Sequence, residues 1–499
     1  MTITGHGQGV VMAAPTPYDG FDTMPIAGQW RAGRAGKTAQ DTDPYRGDVL
    51  TEIPLADADD LDEAYASAAR VQRDWAAAAP AERAAVMLEA AAVMDRRKDE
   101  IVDWTVKESG ATRTVAEFEF AITRRDFLEA SSYPYRVVGR ILPSDTPGKE
   151  NRVYRQPVGV VGVISPWNVP LHLSNRSVAP ALAVGNGVVL KPAGDTPVTG
   201  GLLLAKVLEE AGLPAGLLNV VIGSGGDIGD AIVQHPVPRV ISFTGSTPVG
   251  EGIASKAGVK ELSLELGGNG PLVVLDDADI AYAARAAVFG KFFHQGQVCM
   301  ITNRIVVDAA VHDRFVDEFV GLVKGLQVGD PADPATVIGP IINQKQLESV
   351  RDKVSGALED GAELLVGGEP TGPTGLVLPP HVLLGTNEVR TAREEVFGPV
   401  ATVIRADDEE HALAIANDTE YGLSSAVFTR DTDRGVRFAL RVQAGMTHVN
   451  DQPMNDENHV AFGGEKASGL GRFGGEWAIE EFTTDHWVSV QHEPREFPV

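Results

Sequence analysis

Three residues far apart in the sequence are of types that together can carry out chemistry at a carbonyl group. Cys299 is the only cysteine among 499 residues, so it can form no internal disulfide. A lone cysteine is most often a small buried hydrophobe, but Gly296 and Gln297 beside it indicate a tight polar turn. Glu265 ends an apolar strand just before two glycines, a position that suits an acid or base better than a solvated surface charge.

Asn168 is the third candidate, and it lies in the segment Ser165-Pro-Trp-Asn directly after an apolar strand. Its side-chain amide can donate hydrogen bonds at the carboxyl end of that strand, where parallel sheets bind ligands. The alternative is a local Asx turn, a common role of asparagine in loops. A thiol, a carboxylate and an amide are the groups that nucleophilic attack on an aldehyde, activation of water and stabilisation of an oxyanion require.

Two glycine-containing turns are candidates for binding phosphate. The segment Gly223-Ser-Gly225 lies between a predicted strand and a helix, but it lacks the full dinucleotide spacing and is equally well explained as a simple turn. The segment Gly245 to Gly250 also follows a strand, and it places Pro248 in the first turn of a helix, where its missing N–H costs nothing. We expect a pyrophosphate to bind at this second helix start.

The elements that position these residues follow an alternating pattern from residue 158 onward. Continuous apolar runs alternate with segments of helical periodicity, which is typical of parallel sheets covered on both faces. Strands are predicted at 158–164, 187–190, 218–222, 240–243 and 261–266, and helices at 177–184, 197–211, 226–234 and 248–257. A second α/β region has predicted helices at 279–289, 310–326, 343–359, 408–416 and 432–440, and strands at 304–307, 362–366, 400–405, 425–429 and 446–449.

The N-terminal part differs, because it is predicted to be mainly helical. Residues 1 to about 25 are rich in Gly, Thr and Pro and are expected to be an extended lead-in. Helical periodicity covers 56–78, 81–98 and 106–131. Prolines and a glycine interrupt the pattern near 143–148, and residues 153–156 have the pattern of one strand of an exposed hairpin.

Composition excludes several classes of partner. The 43 basic residues against 69 acidic ones leave a formal charge of −26, which repels nucleic acid and anionic lipid surfaces. No apolar stretch approaches the roughly 20 residues that span a bilayer, and the first residues lack the pattern of a signal peptide. With one cysteine, no thiolate-rich metal site is possible. We therefore expect a cytoplasmic protein with no metal, no nucleic acid partner and no membrane partner.

The order and spacing of its short motifs show that the chain resembles the aldehyde dehydrogenase superfamily from about residue 25 to 490. Each motif is short, but together they are highly specific. They are Pro166-Trp-Asn168, Lys191-Pro-Ala193, Phe243-Thr-Gly-Ser-Thr-Pro-Val-Gly250, Glu265-Leu-Gly-Gly268, Gly296-Gln-Val-Cys299, Glu395-Val-Phe-Gly-Pro399, Tyr421-Gly-Leu423, and Phe462-Gly-Gly464 with Ser468-Gly469.

The resemblance implies a role for each candidate residue. Cys299 is implied to be the nucleophile, Glu265 the general base and Asn168 the oxyanion donor, and the cofactor is implied to be NAD, with NADP also accepted. Cofactor binding is assigned to Ile164, Ser165, Pro166, Trp167, Lys191, Ala193, Gly194, Gly225, Gly245, Ser246, Val249, Leu266, Gly267, Glu395 and Phe397. The wall of the substrate tunnel is assigned to Val169, Leu173, Arg176, Phe293, Val298 and Phe462.

The resemblance also implies an architecture, which is α/β with two doubly wound domains and a small β arm for oligomerisation. Residues 1–136 and 158–264 are implied to form the cofactor-binding domain, and residues 265–450 the catalytic domain. Residues 451–477 are implied to be active-site loops. Residues 137–157 and 478–499 are implied to form the oligomerisation arm and the C-terminal tail of a homodimer or homotetramer.

Finer features resemble the branch that oxidises benzaldehyde, vanillin and salicylaldehyde. They are Asn175-Arg-Ser-Val-Ala-Pro180, His235-Pro-Val-Pro238, Asn450-Asp451 and Gly469-Leu-Gly-Arg-Phe-Gly-Gly-Glu-Trp477. Four residues depart from the usual superfamily pattern, and one of them is Ala461, which stands where a proline usually precedes Phe-Gly-Gly. Arg176 and Ser177 stand where many members carry Trp and Lys, and Gly194 stands where a glutamate usually contacts the adenosine ribose. We expect the loss of that glutamate to relax the exclusion of NADP.

Two other readings of the sequence stay open. The enzyme could act on a semialdehyde, with Arg176 as the anchor for its distant carboxylate, or it could transfer the acyl group to coenzyme A. Glu265 argues against acyl transfer, because acylating relatives commonly lack that base. The alternative from outside the enzymes is a catalytically silent structural protein that binds a dinucleotide. Such a protein does not need Cys299, Glu265 and Asn168 together, which argues against it.

Overall fold

The computed structural model describes residues 15–497 as an α/β protein. The helices are α1 Ala58–Ala77, α2 Pro80–Arg96, α3 Lys98–Ser109, α4 Arg113–Ala130, α5 Pro170–Ala183, α6 Leu203–Glu210, α7 Asp230–Gln234, α8 Thr247–Lys256, α9 Ile280–Phe292, α10 His312–Val323, α11 Gln344–Glu359, α12 Arg390–Arg393, α13 Glu409–Asn417, α14 Thr432–Ala439 and α15 Gly475–Glu481.

The strands fall into six sheets. They are β1 Met24–Ile26, β2 Gln29–Arg31, β3 Thr38–Thr42, β4 Val49–Pro54, β5 Arg140–Leu142, β6 Lys149–Pro157, β7 Val160–Ile164, β8 Gly187–Lys191, β9 Leu218–Val220, β10 Val240–Thr244, β11 Glu261–Glu265, β12 Gly270–Val274, β13 Thr302–Asp308, β14 Glu363–Val366, β15 His381–Gly385, β16 Val400–Ala406, β17 Tyr421–Gly422, β18 Ser424–Phe428, β19 Met446–Val449, β20 Glu465–Lys466, β21 Gly469–Leu470 and β22 Thr483–Gln491.

The first large sheet has the order β21-β11-β10-β7-β8-β9 and is parallel except for β21. Nearly every residue of β7, β8 and β10 is buried, because helices cover both faces of the sheet. The chain order reverses direction between β7 and β10, so a crevice opens outside their carboxyl ends. A parallel sheet with such a reversal binds ligands at this crevice.

The second large sheet has the order β14-β15-β16-β13-β12-β18-β19, and only β14 runs antiparallel to its neighbour. The strands β12 and β13 are completely buried; β12 is apolar throughout, whereas β13 is apolar only at its three residues 305–307. Residues 266–269 connect the last residue of β11 in the first sheet to the first residue of β12 in the second. Glu265 therefore lies where the chain crosses from one sheet to the other. The two doubly wound sheets agree with the predicted fold class.

A three-stranded sheet of β5, β6 and β22 forms the predicted arm. The nine residues of β22 pair with all of β6 in antiparallel register, and the predicted hairpin strand at 153–156 lies within β6. Large apolar side chains on this sheet stand in solvent, with Ile141 75% and Trp487 64% exposed.

The structure corrects several expectations about the N-terminal part. Residues 24–54 form two small hairpins, β1 with β2 and β3 with β4, in a region that was expected to be a lead-in followed by helices. These strands are only three to six residues long and carry little periodicity. The predicted helix 106–131 is the end of α3 plus α4, separated at Gly110, which adopts a left-handed φ of 67°. The predicted lead-in residues 1–14 lie outside the described residues.

Other differences concern buried elements, in which periodicity carries little information. The helix expected at 177–184 begins at Pro170, and all fourteen residues of α5 are buried. The strands β12 and β15 were not predicted. The helices expected at 197–211 and 226–234 each begin with one π-helical turn, at Val198–Leu202 and Gly225–Gly229. Among residues 15–497, no helix has the length and apolar character needed to cross a membrane.

Candidate active site

A cleft opens where β7, β10 and β11 of the first sheet end, and we call it the edge cleft. The loop after β7 contributes Pro166 and Trp167, and the loop after β10 contributes Gly245 and Ser246. The second sheet contributes the opposite wall, including Glu395 and Phe397. The rings of Trp167 and Phe397 contact each other edge to face with centroids 5.5 Å apart. The crevice expected from the strand order is therefore present.

Cys299 lies on a strained loop between α9 and β13. His294, Gln295 and Gly296 have consecutive positive φ values of 50°, 55° and 73°. Such backbone is unfavourable for residues other than glycine, and it persists only where the surrounding structure holds it. Gly268 supports the loop at close range, because a Cβ atom built there would lie 2.2 Å from the carbonyl oxygen of Cys299. The Cys299 side chain is partly exposed to the cleft.

Glu265 lines the same cleft as the last residue of β11, and its side chain is completely buried. Neither of its carboxylate oxygens has a hydrogen-bond partner among the described residues. Burial raises the pKa of Glu265 above its ordinary value, and the positive charge of Arg176 opposes that rise. A carboxylate in such surroundings is more basic than one in water.

The thiol of Cys299 lies close enough to Glu265 for the two groups to affect each other. Burial, and then the negative charge of Glu265, raise the pKa of the Cys299 thiol above its usual range. The thiol is therefore protonated at neutral pH, and the neighbouring carboxylate is the group placed to take its proton. A thiol beside a buried carboxylate is an arrangement that can act as a nucleophile with its base.

Asn168 lies in the loop between β7 and α5 and lines the same cleft as Cys299 and Glu265. Its Nδ2 donates to the carbonyl oxygen of Gln297 at 2.9 Å, and its own carbonyl oxygen contacts the ring of His294. The Asn168 side chain is therefore bonded to the Cys299 loop and does not form the alternative Asx turn. The second hydrogen of the same amide stays available at the cleft, which Asn168 lines.

The predicted cofactor residues divide into two groups by position. Those that line the edge cleft are Pro166, Trp167, Gly245, Ser246, Leu266, Gly267, Glu395 and Phe397. The others follow the carboxyl ends of β7 to β10 beside the cleft, and they are Ile164, Ser165, Lys191, Ala193, Gly194, Gly225 and Val249. Ser165 accepts a hydrogen bond from the Ser174 hydroxyl, so its side chain belongs to the interior.

Glu395 is held by the loop that connects the two sheets. Its Oε1 accepts the backbone N–H of Gly268 at 2.8 Å, and burial raises its pKa to about 7. Lys353 donates to the backbone carbonyl of Glu395 at 2.6 Å and also lines the cleft. Lys353, Gln346 and Ser349 on α11, and Thr244 at the end of β10, also line the cleft and were not predicted from the sequence. Polar residues on a surface helix such as α11 carry no local signal for a site.

A second cavity, which we call the aromatic cavity, meets the edge cleft at Cys299. Asn168, Leu173 and Cys299 line both spaces. The structure places all six predicted tunnel residues along the aromatic cavity, namely Val169, Leu173, Arg176, Phe293, Val298 and Phe462. It adds others that the sequence analysis missed, which are Val115, Phe118, Ile122, His172, Met300, Met454 and Asp456.

The walls of the aromatic cavity suit a flat apolar molecule. The rings of Phe118 and Phe293 meet edge to face with centroids 5.5 Å apart, and Phe289 packs against Phe293 at 5.2 Å. Phe118 comes from α4 in the N-terminal part, and nothing near it in the sequence distinguishes it from an ordinary helix residue. Aromatic and aliphatic lining with a few polar groups is the usual character of a small-molecule site.

Comparison with known proteins agrees with this geometry. The model of the aldehyde dehydrogenase family matches residues 30–488. A vanillin dehydrogenase of Corynebacterium glutamicum is 52% identical over 471 residues, which cover 93% of this chain and 97% of that protein. A benzaldehyde dehydrogenase of Bacillus subtilis is 48% identical, with coverage of 96% and 99%.

Solved structures give the same result. A salicylaldehyde dehydrogenase from Pseudomonas putida G7, in complex with salicylaldehyde, superposes with a TM-score of 0.92 at 36% identity, covering 96% of this chain and 99% of that chain. An NAD-dependent benzaldehyde dehydrogenase from Corynebacterium glutamicum superposes with a TM-score of 0.88 at 48% identity, covering 95% and 97%. The fold is that of an oxidoreductase, and the chain belongs to the aldehyde dehydrogenase family. The predicted family and fold class are confirmed.

Proposed function

We propose that this enzyme oxidises an aromatic aldehyde to the carboxylic acid with NAD or NADP, through a thioester on Cys299 that water hydrolyses. The single observation that carries the proposal is the position of Cys299, at the point where an apolar, aromatic-lined cavity meets a cleft at the end of a parallel sheet. An aldehyde and a dinucleotide can approach the same thiol from opposite sides. The named substrates of the similar enzymes support the aromatic class.

The residues of the edge cleft fit a dinucleotide. The loop after β10 leads into the N-terminus of α8, whose first backbone N–H groups have no side-chain cap and can bind a pyrophosphate. Glu395 offers a carboxylate for a ribose hydroxyl. Gly194 faces open space, because a Cβ atom built on it would meet no heavy atom within 4 Å. A dinucleotide held by these residues would supply the acceptor for the hydride that leaves the aldehyde carbon.

Cys299 and Asn168 carry out the first half of the reaction. Glu265 takes the proton from the thiol, and the thiolate sulfur forms a bond to the aldehyde carbon. The carbonyl oxygen gains negative charge as that bond forms. The free amide hydrogen of Asn168 and the backbone N–H of Cys299 are the donors placed to stabilise it.

Glu265 carries out the second half. Once the hydride has left the carbon, the acyl group is bound to Cys299 as a thioester. The proton that Glu265 took from the thiol is first released to solvent, so that its carboxylate is ionised again. Glu265, with both oxygens free of protein partners, then takes a proton from a water molecule as that water attacks the thioester carbon. The Cys299 sulfur is the leaving group, and the carboxylic acid product is released. The same base therefore serves both halves.

The surroundings of Arg176 disfavour the semialdehyde reading. A semialdehyde carboxylate requires an uncompensated cation at the far end of the cavity, whereas Nη2 of Arg176 donates to Asp456 at 3.4 Å. Asp456 lines the same cavity and repels a second carboxylate. The completely buried Glu265 likewise favours water over coenzyme A as the acceptor of the acyl group.

The substitution Cys299→Ser tests the proposed nucleophile. We expect benzaldehyde oxidation to fall by more than about a thousandfold, since a hydroxyl is a far weaker nucleophile than a thiolate at neutral pH. Titration with reduced cofactor, followed by fluorescence, serves as the control and is expected to show binding close to that of the unaltered enzyme. Activity retained within about tenfold would exclude Cys299 as the nucleophile.

Two further properties belong to the proposal. The exposed apolar side chains of the β5-β6-β22 sheet support assembly into a homodimer or homotetramer through that sheet. The cytoplasmic location stays a prediction from the sequence.

A further inference from the structure

His294 is a buried histidine on the Cys299 loop that takes no part in the reaction steps described for Cys299, Glu265 and Asn168. The residue is completely buried. Its Nε2 lies within hydrogen-bond distance of the backbone carbonyl oxygen of Asn168, the proposed oxyanion donor. A buried polar ring is costly unless it forms a hydrogen bond, so this contact is the feature of His294 that requires an explanation.

The hydrogen in this bond belongs to the histidine. A carbonyl oxygen can only accept, so Nε2 of His294 is the donor. Burial lowers the pKa of His294 to about 4, and the ring is therefore neutral at neutral pH, with its one hydrogen on Nε2. Nδ1 is buried and has no hydrogen-bond partner among residues 15–497, so no group in that part of the chain favours the opposite tautomer. His294 is a neutral donor and adds no charge beside Cys299.

The backbone of α5 does not satisfy the Asn168 carbonyl oxygen, which lies just before that helix. The backbone N–H groups of Leu171 and His172, in the first turn of α5, donate to the carboxylate of Glu119 at 2.7 and 3.3 Å. Neither of them is left for Asn168. His294 therefore supplies a donor that the helix does not provide.

Two hydrogen bonds in opposite directions join Asn168 to the Cys299 loop. His294 donates to the Asn168 backbone, and the Asn168 side chain donates through Nδ2 to the carbonyl oxygen of Gln297 at 2.9 Å. The first bond fixes the main chain of Asn168, and the second fixes the rotation of its side-chain amide. Without the first bond the Asn168 peptide can rotate, and the second amide hydrogen is then aimed less accurately at the aldehyde oxygen.

The Cys299 loop itself is held by a different residue. Nε2 of Gln295 donates to the carbonyl oxygens of Gly110 and Pro340 at 3.0 and 3.1 Å. These contacts offset part of the free energy that the positive φ values of His294 and Gln295 cost. Loss of the His294 hydrogen bond is therefore expected to affect the oxyanion donor more than the nucleophile.

We propose that His294 is a positioning residue for Asn168, and that it aligns the Asn168 side-chain amide with the oxyanion by fixing the Asn168 backbone. The proposal rests on the proposed function, in which Asn168 stabilises the oxyanion that forms as Cys299 attacks. His294 then matters only in reactions that form an oxyanion. The donated hydrogen bond, and not the size of the ring, is the property that matters.

Two substitutions separate the hydrogen bond from the size of the side chain. His294→Phe keeps a ring and removes the donor, whereas His294→Gln places an amide N–H close to the former Nε2. We expect kcat for benzaldehyde to fall about thirtyfold or more in His294→Phe, with the KM for NAD unchanged, and to stay within about fivefold of normal in His294→Gln. Each kcat is expressed per site that binds reduced cofactor in a fluorescence titration, which corrects for incomplete folding.

His381→Phe is the matched control. His381 is also buried and also donates to a backbone carbonyl oxygen, that of Pro379 at 2.8 Å, but it lies at the start of β15 outside the site. We expect kcat per folded site to be unchanged in this variant. If His294→Gln is as slow as His294→Phe, the donor is not what matters and the proposal is overturned.

Alkylation of Cys299 by iodoacetamide distinguishes an effect on Asn168 from an effect on the loop. This displacement reaction forms no oxyanion, so its rate in His294→Phe is expected to stay within about twofold of that in the unaltered enzyme. A fall in the alkylation rate as large as the fall in kcat would show that His294 supports the nucleophile, and it would overturn the proposal.

A double-mutant cycle tests whether the two residues act together. We expect Asn168→Ala combined with His294→Phe to be no more than about threefold slower than Asn168→Ala alone, because His294 has then lost the group it positions. Losses that multiply, or a normal kcat in His294→Phe, overturn the proposal while the proposed function stands. If Asn168→Ala itself oxidises benzaldehyde at the normal rate, the proposed function is wrong about Asn168, and the positioning role of His294 fails with it.

Discussion

At the scale of single residues, Glu265 shows how burial changes the chemistry of an ordinary carboxylate. Its side chain is fully buried with both oxygens unpartnered among the described residues, which is costly for a charged group. That cost is what raises the pKa of Glu265, and the raised pKa makes it a stronger base for water. Burial of Glu265 therefore lowers the stability of the fold and increases the basicity of this carboxylate.

The substitution Glu265→Gln is expected to separate the two halves of the reaction. If some thiolate still forms without the base, one equivalent of reduced cofactor appears in a burst, because later hydrolysis of the thioester is the step that stalls. Stopped-flow absorbance of the reduced cofactor checks this, and mass spectrometry of the quenched enzyme detects the acyl group on Cys299. Slow kinetics without a burst and without an acyl-enzyme would show that removal of the Cys299 thiol proton, and not hydrolysis of the thioester, is the step that depends most on Glu265.

The pH dependence of hydrolysis follows from the same residue. Glu265 must be ionised to act as a base, and its ionised fraction falls as the pH falls through its raised pKa. The single-turnover rate of deacylation is therefore expected to decline with acid at a higher pH than the ordinary pKa of glutamate, about 4.3, would give. A rate that stays constant down to about that ordinary value would show that Glu265 is not the base.

We expect Gly194 to be the residue that sets the preference between NAD and NADP. Open space surrounds it, and Oδ1 of the adjacent Asp195 accepts from Asn343 at 2.9 Å, which holds that carboxylate in place. We expect NADP to be used within about tenfold of NAD in kcat/KM, and Gly194→Glu to widen the preference for NAD by a further tenfold, about 1.4 kcal/mol. Gly194→Ala is the matched control, with little change expected. A preference of the unaltered enzyme for NAD above roughly a thousandfold would contradict this.

At the scale of elements, the Cys299 loop depends on close backbone contacts more than on side chains. Gly268 approaches the Cys299 carbonyl so closely that Gly268→Ala must displace the loop. We expect activity to fall at least about a hundredfold, because a displacement of about 1 Å at the reacting group has that effect. Gly252→Ala in α8 is the control, since its Cβ meets no heavy atom within 4 Å. Near-normal turnover of Gly268→Ala, measured with benzaldehyde, would show that the loop adapts.

The bounds of helices and strands were predicted well where the hydrophobic periodicity and the length of the segment were clear. The amphipathic helix α11 begins one residue after the predicted start and ends at the predicted residue, Glu359. The strand β19 has the predicted bounds. The start of the fully buried α5 was predicted seven residues too late, because a helix that is buried on every side shows no amphipathic period.

At the scale of the whole molecule, the β5-β6-β22 sheet leaves apolar surface that a single chain does not cover. Ile141→Asp adds a charge at a side chain that is 75% exposed, so folding is expected to persist while assembly weakens. Light scattering with size-exclusion chromatography is expected to show a smaller mass than that of the unaltered protein. Val259→Asp, at a fully exposed position outside this sheet, is the control. An unchanged mass for Ile141→Asp would exclude this surface as the interface.

The sequence by itself determined the class of the protein and predicted the residues of its reaction. Alternating apolar runs and amphipathic segments indicate parallel sheets, and the short motifs that contain Asn168, Glu265 and Cys299 predict the chemistry, because each run and each motif is local in the chain. The six predicted tunnel residues also lie in short motifs or close to them.

Only the tertiary structure decided which groups meet at the far end of the aromatic cavity. Asp126, His172 and Arg176 come from α4 and α5, whereas Asp456 lies nearly three hundred residues later, in a loop with no motif. Their pairing depends on how the N-terminal helices pack against the loop after β19. Such contacts between segments distant in sequence leave no local pattern, since no periodicity or spacing links them.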